Sequence, residues 1–169
     1  MKIVFLSLGS NLGNRAENIR RAVEALAQQG VRILRQSAVY ETEPVDIREQ
    51  GWFLNCVVEV ETDLMPRQFM HALLETERSL GRRRNIPRGP RPIDIDILFF
   101  GSSVVQTPQL EIPHPRIAKR RFVLAPLAEI APSLRHPTLN KTIAELLADT
   151  PDRSRVRIYH TDRCAAERG

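Results

Sequence analysis

Acidic and apolar residues alternate strictly in the middle of this 169-residue chain, where Asp94 and Asp96 are interleaved with isoleucines from Ile93 to Ile97. β-Branched residues with a period of two predict a β-strand that has the isoleucines on one face and both aspartates on the other. Two residues of strand rise place the aspartate Cα atoms about 6.5–7 Å apart. Neighbouring carboxylates repel each other unless a cation compensates them. The pattern therefore predicts a half-buried strand whose polar face suits divalent cations.

Basic segments flank this strand on both sides in the sequence. Hard oxygen ligands favour Mg²⁺, and guanidinium groups suit phosphate oxygens. A pair of aspartates between two basic segments predicts a site for metal-bound polyphosphate. The alternative is a solvated strand face with surface salt bridges. The basic residues are Arg82, Arg83, Arg84, Arg88 and Arg91 before the strand, and Arg116, Lys119, Arg120 and Arg121 after it.

Composition limits the class of protein more than its function. The chain has 169 residues, of which 42% are apolar, so it is long enough for one well-packed core. We expect residues 1–169 to form a single catalytic domain, with a charged tail over about 150–169. Cys56 and Cys164 lie too far apart for a zinc or disulfide motif, and no apolar run is long enough to span a membrane, so we expect a cytoplasmic protein. A net charge of +5 predicts an anionic partner, which could be nucleic acid, a membrane surface or a phosphorylated small molecule.

The order of the predicted elements indicates an α+β fold. Strands are expected over 2–8, 31–42, 53–61 and 93–100, with helices over 15–29 and 66–80. This β-α-β-β-α-β order is typical of a ferredoxin-like sandwich, a mostly antiparallel sheet with two helices on one face and the other face free for ligands. A hairpin, two C-terminal helices and a short tail strand are expected at 101–110, 122–129, 142–147 and 156–159, and loops at 45–51 and 82–92.

A glycine-containing turn follows the first predicted strand at 9–14. It lacks the Gly-Lys-Ser/Thr ending of a P-loop and the spacing of a dinucleotide fingerprint. We interpret it as a plain turn into the first helix.

Several short motifs together resemble the 6-hydroxymethyl-7,8-dihydropterin pyrophosphokinases of folate biosynthesis. They occur in that family's order over 3–136, and the combination is specific although no single piece is. The segments are Ser-Leu-Gly-Ser-Asn-Leu (7–12), Tyr-Glu-Thr-Glu-Pro (40–44), Phe-Leu-Asn (53–55), Leu-Gly-Arg (80–82), Gly-Pro-Arg-Pro-Ile-Asp-Ile-Asp-Ile-Leu (89–98), Ile-Pro-His-Pro-Arg (112–116) and Phe-Val-Leu-Ala-Pro-Leu-Ala-Glu-Ile-Ala-Pro (122–132).

The resemblance implies transfer of a diphosphate from ATP to the hydroxymethyl oxygen of the reduced pterin, with release of AMP. By the same resemblance, Asp94 and Asp96 hold two Mg²⁺ ions, and the catalytic residues are these two aspartates with Arg82 and Arg91. Two metals can neutralise phosphate oxygens and activate a hydroxyl without a separate base. The implied ATP-binding residues are Arg82, Arg84, Arg91, Ile97, His114 and Arg120.

The resemblance also implies a pterin pocket. Asn55 carries both a hydrogen-bond donor and an acceptor, as the amide edge of a pterin requires. Two phenylalanine rings could stack on the bicycle, although core packing accounts for such rings equally well without the family. The implied pterin-binding residues are Thr42, Pro44, Val45, Phe53, Asn55 and Phe122.

Two other functions remain open from the sequence. A nucleotidyltransferase would also place paired aspartates on a ferredoxin-like sheet, but it would release pyrophosphate and not AMP. A nucleic-acid-binding module fits the basic charge, but the strands lack the aromatic Lys/Arg-Gly-Phe-type signature and the aspartates would repel a phosphate backbone. We therefore expect a monomer that binds ATP and the pterin, and neither nucleic acid nor a membrane.

Overall fold

The structure, a computed structural model, describes residues 1–44, 50–81 and 91–160. Most of the two predicted loops lies outside the described residues, because 45–49 and 82–90 fall in the gaps. In chain order the elements are β1 (Lys2–Ser10), α1 (Arg15–Gln28), β2 (Arg32–Gln36), β3 (Tyr40–Thr42), β4 (Phe53–Thr62), α2 (Pro66–Ser79), β5 (Asp94–Phe100), β6 (Val105–Gln106), β7 (Glu111–Ile112), a 3-10 turn (Ile117–Lys119), α3 (Arg121–Ile130), α4 (Ile143–Asp149) and β8 (Val156–Ile158).

One antiparallel sheet organises these elements. Its strands lie in the order β5-β1-β4, β2 and β3 both pair with the outer side of β4, and β8 pairs with β3. The first two helices are the crossovers of a β-α-β-β-α-β unit. The predicted α+β, ferredoxin-like fold is therefore confirmed, with α3 and α4 as the additional C-terminal helices.

The predicted strand over 31–42 is interrupted, and the sequence interpretation was wrong in this respect. Ser37 lies between β2 and β3, where its backbone N–H donates to Val57 O at 2.9 Å and its hydroxyl accepts from Val57 N at 2.9 Å. The backbone N–H of Ala38 then donates to the Glu129 carboxylate at 3.0 Å. Side chains thus replace the regular ladder of hydrogen bonds, so the chain bends and β3 turns toward the α3 side.

The two faces of the sheet carry different layers. α1 and α2 pack on one face against Val4, Leu6 and Leu8. On the other face, the apolar cluster under α3 and α4 includes Val57 and Leu98, which contradicts the prediction of a wholly free face. Asn55 and Asp96 lie two residues earlier in the same strands, and they share this face because side chains alternate across a strand. The polar part of the face is where a ligand site can lie.

Most helices and strands begin and end within two residues of the positions predicted from local sequence signals. The side chain of Asn14 accepts from Glu17 N at 3.2 Å and begins α1, and Gly30 follows the helix with a φ of 81° that few other residues adopt. β6 and β7 form a hairpin that ends at Ile112, two residues beyond the predicted 101–110, and β8 confirms the tail strand. Among the described residues, none of the helices has the length and apolar character needed to cross a bilayer.

Candidate active site

Asp94 and Asp96 lie on one face of β5, as their alternation with isoleucine predicts. Both are half-buried, whereas Ile95 is only 6% exposed on the opposite face. In the neighbouring strand β1, Asp94 pairs with Gly9 and Asp96 pairs with Ser7. The register therefore places both carboxylates beside two small residues, which leave room above the sheet.

Arg91 connects the carboxylates to an aromatic ring. Its Nε lies 3.4 Å from Oδ2 of Asp94. Its guanidinium also lies over the ring of Phe53, with 4.8 Å between the guanidinium carbon and the ring centroid. Two residues predicted to bind different substrates therefore contact the same arginine.

A cavity of about 690 Å³ opens beside β5. Both aspartates, His114 and Ile97 line it, together with one side of α2 and the turn of the β6–β7 hairpin. Ligand cavities in proteins are typically about 300–1,000 Å³, so this one has the volume for a nucleotide. The position of Ile97 is consistent with its prediction as a nucleotide contact, although only 7% of it is exposed.

His114 is half-buried and neutral at physiological pH. Burial and the nearby positive charge of Arg120 lower the pKa of its imidazole to about 4. Its Nδ1 accepts a hydrogen bond from the backbone N–H of Arg116 at 3.2 Å. A neutral ring that accepts at Nδ1 carries its proton on Nε2, so His114 can donate one hydrogen bond to an oxygen in the cavity.

We expect the free energy of unfolding to fall between pH 7 and pH 5, in part because of His114. Its pKa is lower in the folded protein than the ordinary 6.5, so the unfolded chain binds the proton more readily as the pH falls. This group should cost about 2 kcal/mol of stability at pH 5. Denaturant unfolding at pH 7 and pH 5 should therefore show a smaller fall for His114→Gln than for the wild type. The variant should still lose some stability, because burial also lowers the pKa of His136 in both proteins. An equal fall in the two proteins would contradict the assignment.

Arg120 and Phe122 meet at the start of α3. The guanidinium carbon of Arg120 lies 5.5 Å from the centroid of the Phe122 ring. Both aromatic rings predicted to hold the pterin, Phe53 and Phe122, are therefore each contacted by an arginine predicted to bind ATP. A guanidinium stacked on a ring keeps its edge donors available for phosphate oxygens.

Asn55 is a buried amide, 3% exposed, on the central strand β4. Its Nδ2 donates to Thr42 Oγ1 at 2.6 Å. Across the sheet it pairs with Gly9, where an added Cβ would lie 2.5 Å from Asn55 Oδ1 and 3.6 Å from the Phe53 ring. The 2.5 Å approach means that only glycine at position 9 leaves the Asn55 amide in this position, whereas the ring of Phe53 would be in ordinary contact.

The structure brings together most of the residues predicted from the sequence. Asp94, Asp96, Ile97 and His114 line the cavity, and Arg91 links it to Phe53. Pro44 is buried at the end of the first described segment. Three predicted residues, namely Val45, Arg82 and Arg84, lie outside the described residues.

Glu77 is a cavity residue that the sequence interpretation missed. It is 3% exposed on α2, lines the cavity, and its Oε2 accepts from Ile95 N at 2.8 Å. A signal was present, because Glu77 follows Leu73 by four residues on the apolar face of the helix. A buried acid on such a face requires polar partners.

Asn11 is a second missed residue, in the segment interpreted as a plain turn. Its side-chain oxygen accepts from Arg91 N at 2.8 Å, and its Nδ2 donates to Gln50 Oε1 at 2.6 Å and to Gly51 O at 3.3 Å. Asn11 therefore fixes the chain on either side of the site, next to both gaps in the described residues.

The carboxylates fit a metal that is shared with a ligand. Within 1–44, 50–81 and 91–160, no group of three or more histidine, cysteine or acidic side chains could hold a metal by itself. Mg²⁺ is usually bound by one or two carboxylates together with water and substrate phosphates. Asp94 and Asp96 provide that number of protein ligands, beside a cavity large enough for a nucleotide.

Sequence comparison gives a consistent family. The model of the 7,8-dihydro-6-hydroxymethylpterin-pyrophosphokinase family matches residues 5–132. A Bacillus subtilis 2-amino-4-hydroxy-6-hydroxymethyldihydropteridine pyrophosphokinase is 45% identical over 129 residues, which are 76% of this chain and 77% of the relative. The folic acid synthesis protein fol1 of Pneumocystis carinii is 43% identical over 141 residues, or 83% of this chain. The chain spans only 19% of that longer protein.

Solved structures agree on the fold. A crystal structure described as HPPK-DHPS in complex with substrates superposes with a TM-score of 0.67 at 18% identity, and it covers 87% of this chain and 43% of that one. Wild-type HPPK-DHPS of Plasmodium falciparum gives a TM-score of 0.69 at 19% identity, over 87% of this chain and 44% of that one.

Proposed function

The chain belongs to the 7,8-dihydro-6-hydroxymethylpterin-pyrophosphokinase family, and from this premise we propose that it transfers a diphosphate from ATP to the hydroxymethyl oxygen of 6-hydroxymethyl-7,8-dihydropterin, releasing AMP in folate biosynthesis. One observation carries the proposal. Gly9 pairs with Asp94 on one side and with Asn55 on the other. Strands lie about 4.8 Å apart, so the acidic site and the amide that would bind the pterin are about 10 Å apart on one surface.

Asp94 and Asp96 are the proposed ligands of two Mg²⁺ ions. When bound, these ions supply charge neutralisation on the phosphate oxygens and lower the pKa of the attacking hydroxyl. The two carboxylates, side by side on a strand whose other face is buried, are held in one orientation. Their own repulsion favours cation binding.

Basic and neutral donors around the carboxylates would bind the nucleotide. Arg91 lies against Asp94, so its guanidinium can both orient that carboxylate and contact a phosphate. His114 would donate from Nε2, Arg120 would add charge from the start of α3, and Ile97 would contact the nucleoside in the cavity. By the family resemblance, Arg82 and Arg84 complete the set.

The pterin would lie against the rings of Phe53 and Phe122, with its amide edge on Asn55. The hydrogen bond from Asn55 Nδ2 to Thr42 orients the amide, so that Oδ1 faces Gly9 and the site. A pterin analogue without the matching donor and acceptor would leave the buried Asn55 amide unpaired, so it should bind more weakly. The remaining proposed contacts are Pro44 and Val45.

We further propose that residues 1–169 act as one catalytic domain, as a cytoplasmic monomer that binds neither nucleic acid nor membranes. The family match over residues 5–132 and the one face that carries both half-sites support the single catalytic domain.

Product analysis tests the proposed reaction. Incubation with ATP, Mg²⁺ and 6-hydroxymethyl-7,8-dihydropterin should give AMP and the pterin diphosphate in equal amounts, measured by chromatography and ³¹P NMR. Released pyrophosphate with AMP attached to the acceptor would favour a nucleotidyltransferase. Salt-dependent binding of RNA or DNA without ATP turnover would favour a nucleic-acid-binding module.

A further inference from the structure

Residues 150–159, near the end of the described residues, run beside the pterin half of the site, and we name them the C-terminal strap. It lies beyond residue 132, where the family match ends. At its beginning, Asp152 Oδ2 accepts from Arg121 N at 2.8 Å, and Arg121 Nη1 donates to Ser154 O at 3.1 Å. Arg121 lies between Arg120 and Phe122, so the strap contacts the start of α3 at the site.

The strap then forms β8 and covers the outer side of β3. Glu41 pairs with Arg157 and Thr42 pairs with Val156. Beyond the strand, Tyr159 N donates to Val39 O at 2.8 Å. Without β8 the three-residue strand β3 would be an edge, and short edge strands fray readily. β8 therefore holds Thr42, the hydrogen-bond partner of Asn55.

Arg157 contacts the same strands from the opposite face of the sheet, because Glu41 and Thr42 are neighbours on β3 and their side chains point to opposite faces. Its Nη2 lies 2.6 Å from Glu41 Oε1, and its guanidinium carbon lies 5.1 Å from the centroid of the Trp52 ring. Arg15 reaches the same two residues from α1, 3.0 Å from Glu41 Oε2 and 2.9 Å from Trp52 O. Trp52 directly precedes Phe53, so these contacts fix the chain that carries one proposed pterin ring.

The charges within this cluster compensate one another. Burial acts to raise the pKa of the Glu41 carboxyl, but hydrogen bonds from Arg157 and Arg15 outweigh it and hold that pKa below its ordinary value. Glu41 is therefore ionised at neutral pH and binds both arginines. Loss of Arg157 would leave a largely buried carboxylate with one of its two cations and would uncover Trp52.

We propose that the C-terminal strap, acting through Arg157, positions the pterin pocket by holding Glu41 of β3 and Trp52, which precedes Phe53, from the face of the sheet opposite the pocket. The inference rests on the proposed function, and it makes Arg157 a positioning residue for one substrate only. β8 lies at the edge of the sheet farthest from β5, which carries the carboxylates. Pterin binding should therefore depend on Arg157, whereas ATP binding should not.

Kinetics of the full-length Arg157→Ala protein test this inference. We expect the KM for the pterin to rise about fivefold, while kcat and the KM for ATP change less than twofold, because Arg157 is mostly exposed and its contacts are confined to Glu41 and Trp52. Arg157→Lys, which keeps the charge beside Glu41, should recover part of the pterin affinity. A fluorescence titration of the pterin with Mg²⁺ and a non-hydrolysable ATP analogue should show the same ratio.

Arg35→Ala is the matched control. Arg35 on β2 also pairs with a largely buried glutamate of β4, at 2.8 Å from Glu59 Oε2, but far from the pocket residues along the strand. Equal pterin KM values for the two alanine variants would overturn the role of the strap. So would an Arg157→Ala protein in which both KM values rise and kcat falls by similar factors. Wild-type protein that neither binds nor turns over the pterin would overturn the proposed function as well, so the two failures are distinguishable.

Discussion

Replacing Asp96 by asparagine should lower kcat by at least about a thousandfold, and Asp94→Asn should do the same. Each substitution removes the charge that holds a divalent ion but keeps the size of the side chain, and a thousandfold corresponds to about 4 kcal/mol of transition-state stabilisation. The fold should survive, because both side chains are half-buried and removing one charge relieves their repulsion. The measurement is AMP formation at saturating substrates, with circular dichroism to verify the fold.

Asp149→Asn is a suitable control for these variants. Asp149 forms an exposed ion pair with Lys141 at 3.0 Å, in α4 and away from β5. It should keep wild-type turnover. If either β5 variant retained a tenth of wild-type activity, the carboxylates would not be the metal ligands and the proposed mechanism would be wrong.

The second large effect is expected for Asn55→Ala, which should raise the KM for the pterin about 30- to 100-fold. The amide is the buried group proposed to read the pterin edge, and an unmatched buried polar group costs about 1–3 kcal/mol. The KM for ATP should change less than twofold, because Asn55 lies two strands away from β5. Steady-state kinetics with each substrate varied in turn will separate the two constants.

A loss of stability alone could also weaken pterin binding, and Thr76→Ala controls for it. Thr76 is fully buried in α2, where its hydroxyl donates to Ala72 O at 2.9 Å and also accepts from Gln29, the residue after α1. This variant should lower Tm to a similar extent while leaving the pterin KM at its wild-type value. Equal pterin KM values for Asn55→Ala and the wild type would remove Asn55 from the pocket.

Several features of the site could be predicted because they are local. The alternation of Asp94 and Asp96 with isoleucine sets which face of β5 each side chain takes, whatever the strand packs against. The side-chain chemistry of Asn55 also indicated a ligand, since an amide buried between apolar residues on a strand needs a polar partner. The family was identified from the order of several short motifs along the chain, which the periodicity of apolar residues alone does not reveal.

Other features depended on contacts between residues far apart in the sequence. Glu77 and Asn11 have partners 18 and 80 residues away, at Ile95 and Arg91, and nothing local identifies those partners. The break at Ser37 likewise depends on Val57 and Glu129. The covered half of the sheet was missed because short C-terminal helices give no signal of which surface they pack on.

The sequence by itself determined the alternating strand, the helix ends, the order of the ferredoxin-like unit and the residue types proposed to bind metal, phosphate and pterin. These follow from backbone preferences and side-chain chemistry within a few residues. The tertiary structure alone decided that Gly9 separates Asp94 from Asn55, that Arg91 contacts both halves of the site, and that β8 covers β3. Such neighbours are set by strand register and by packing across the whole sheet, which depend on the summed burial of distant side chains and not on any short segment.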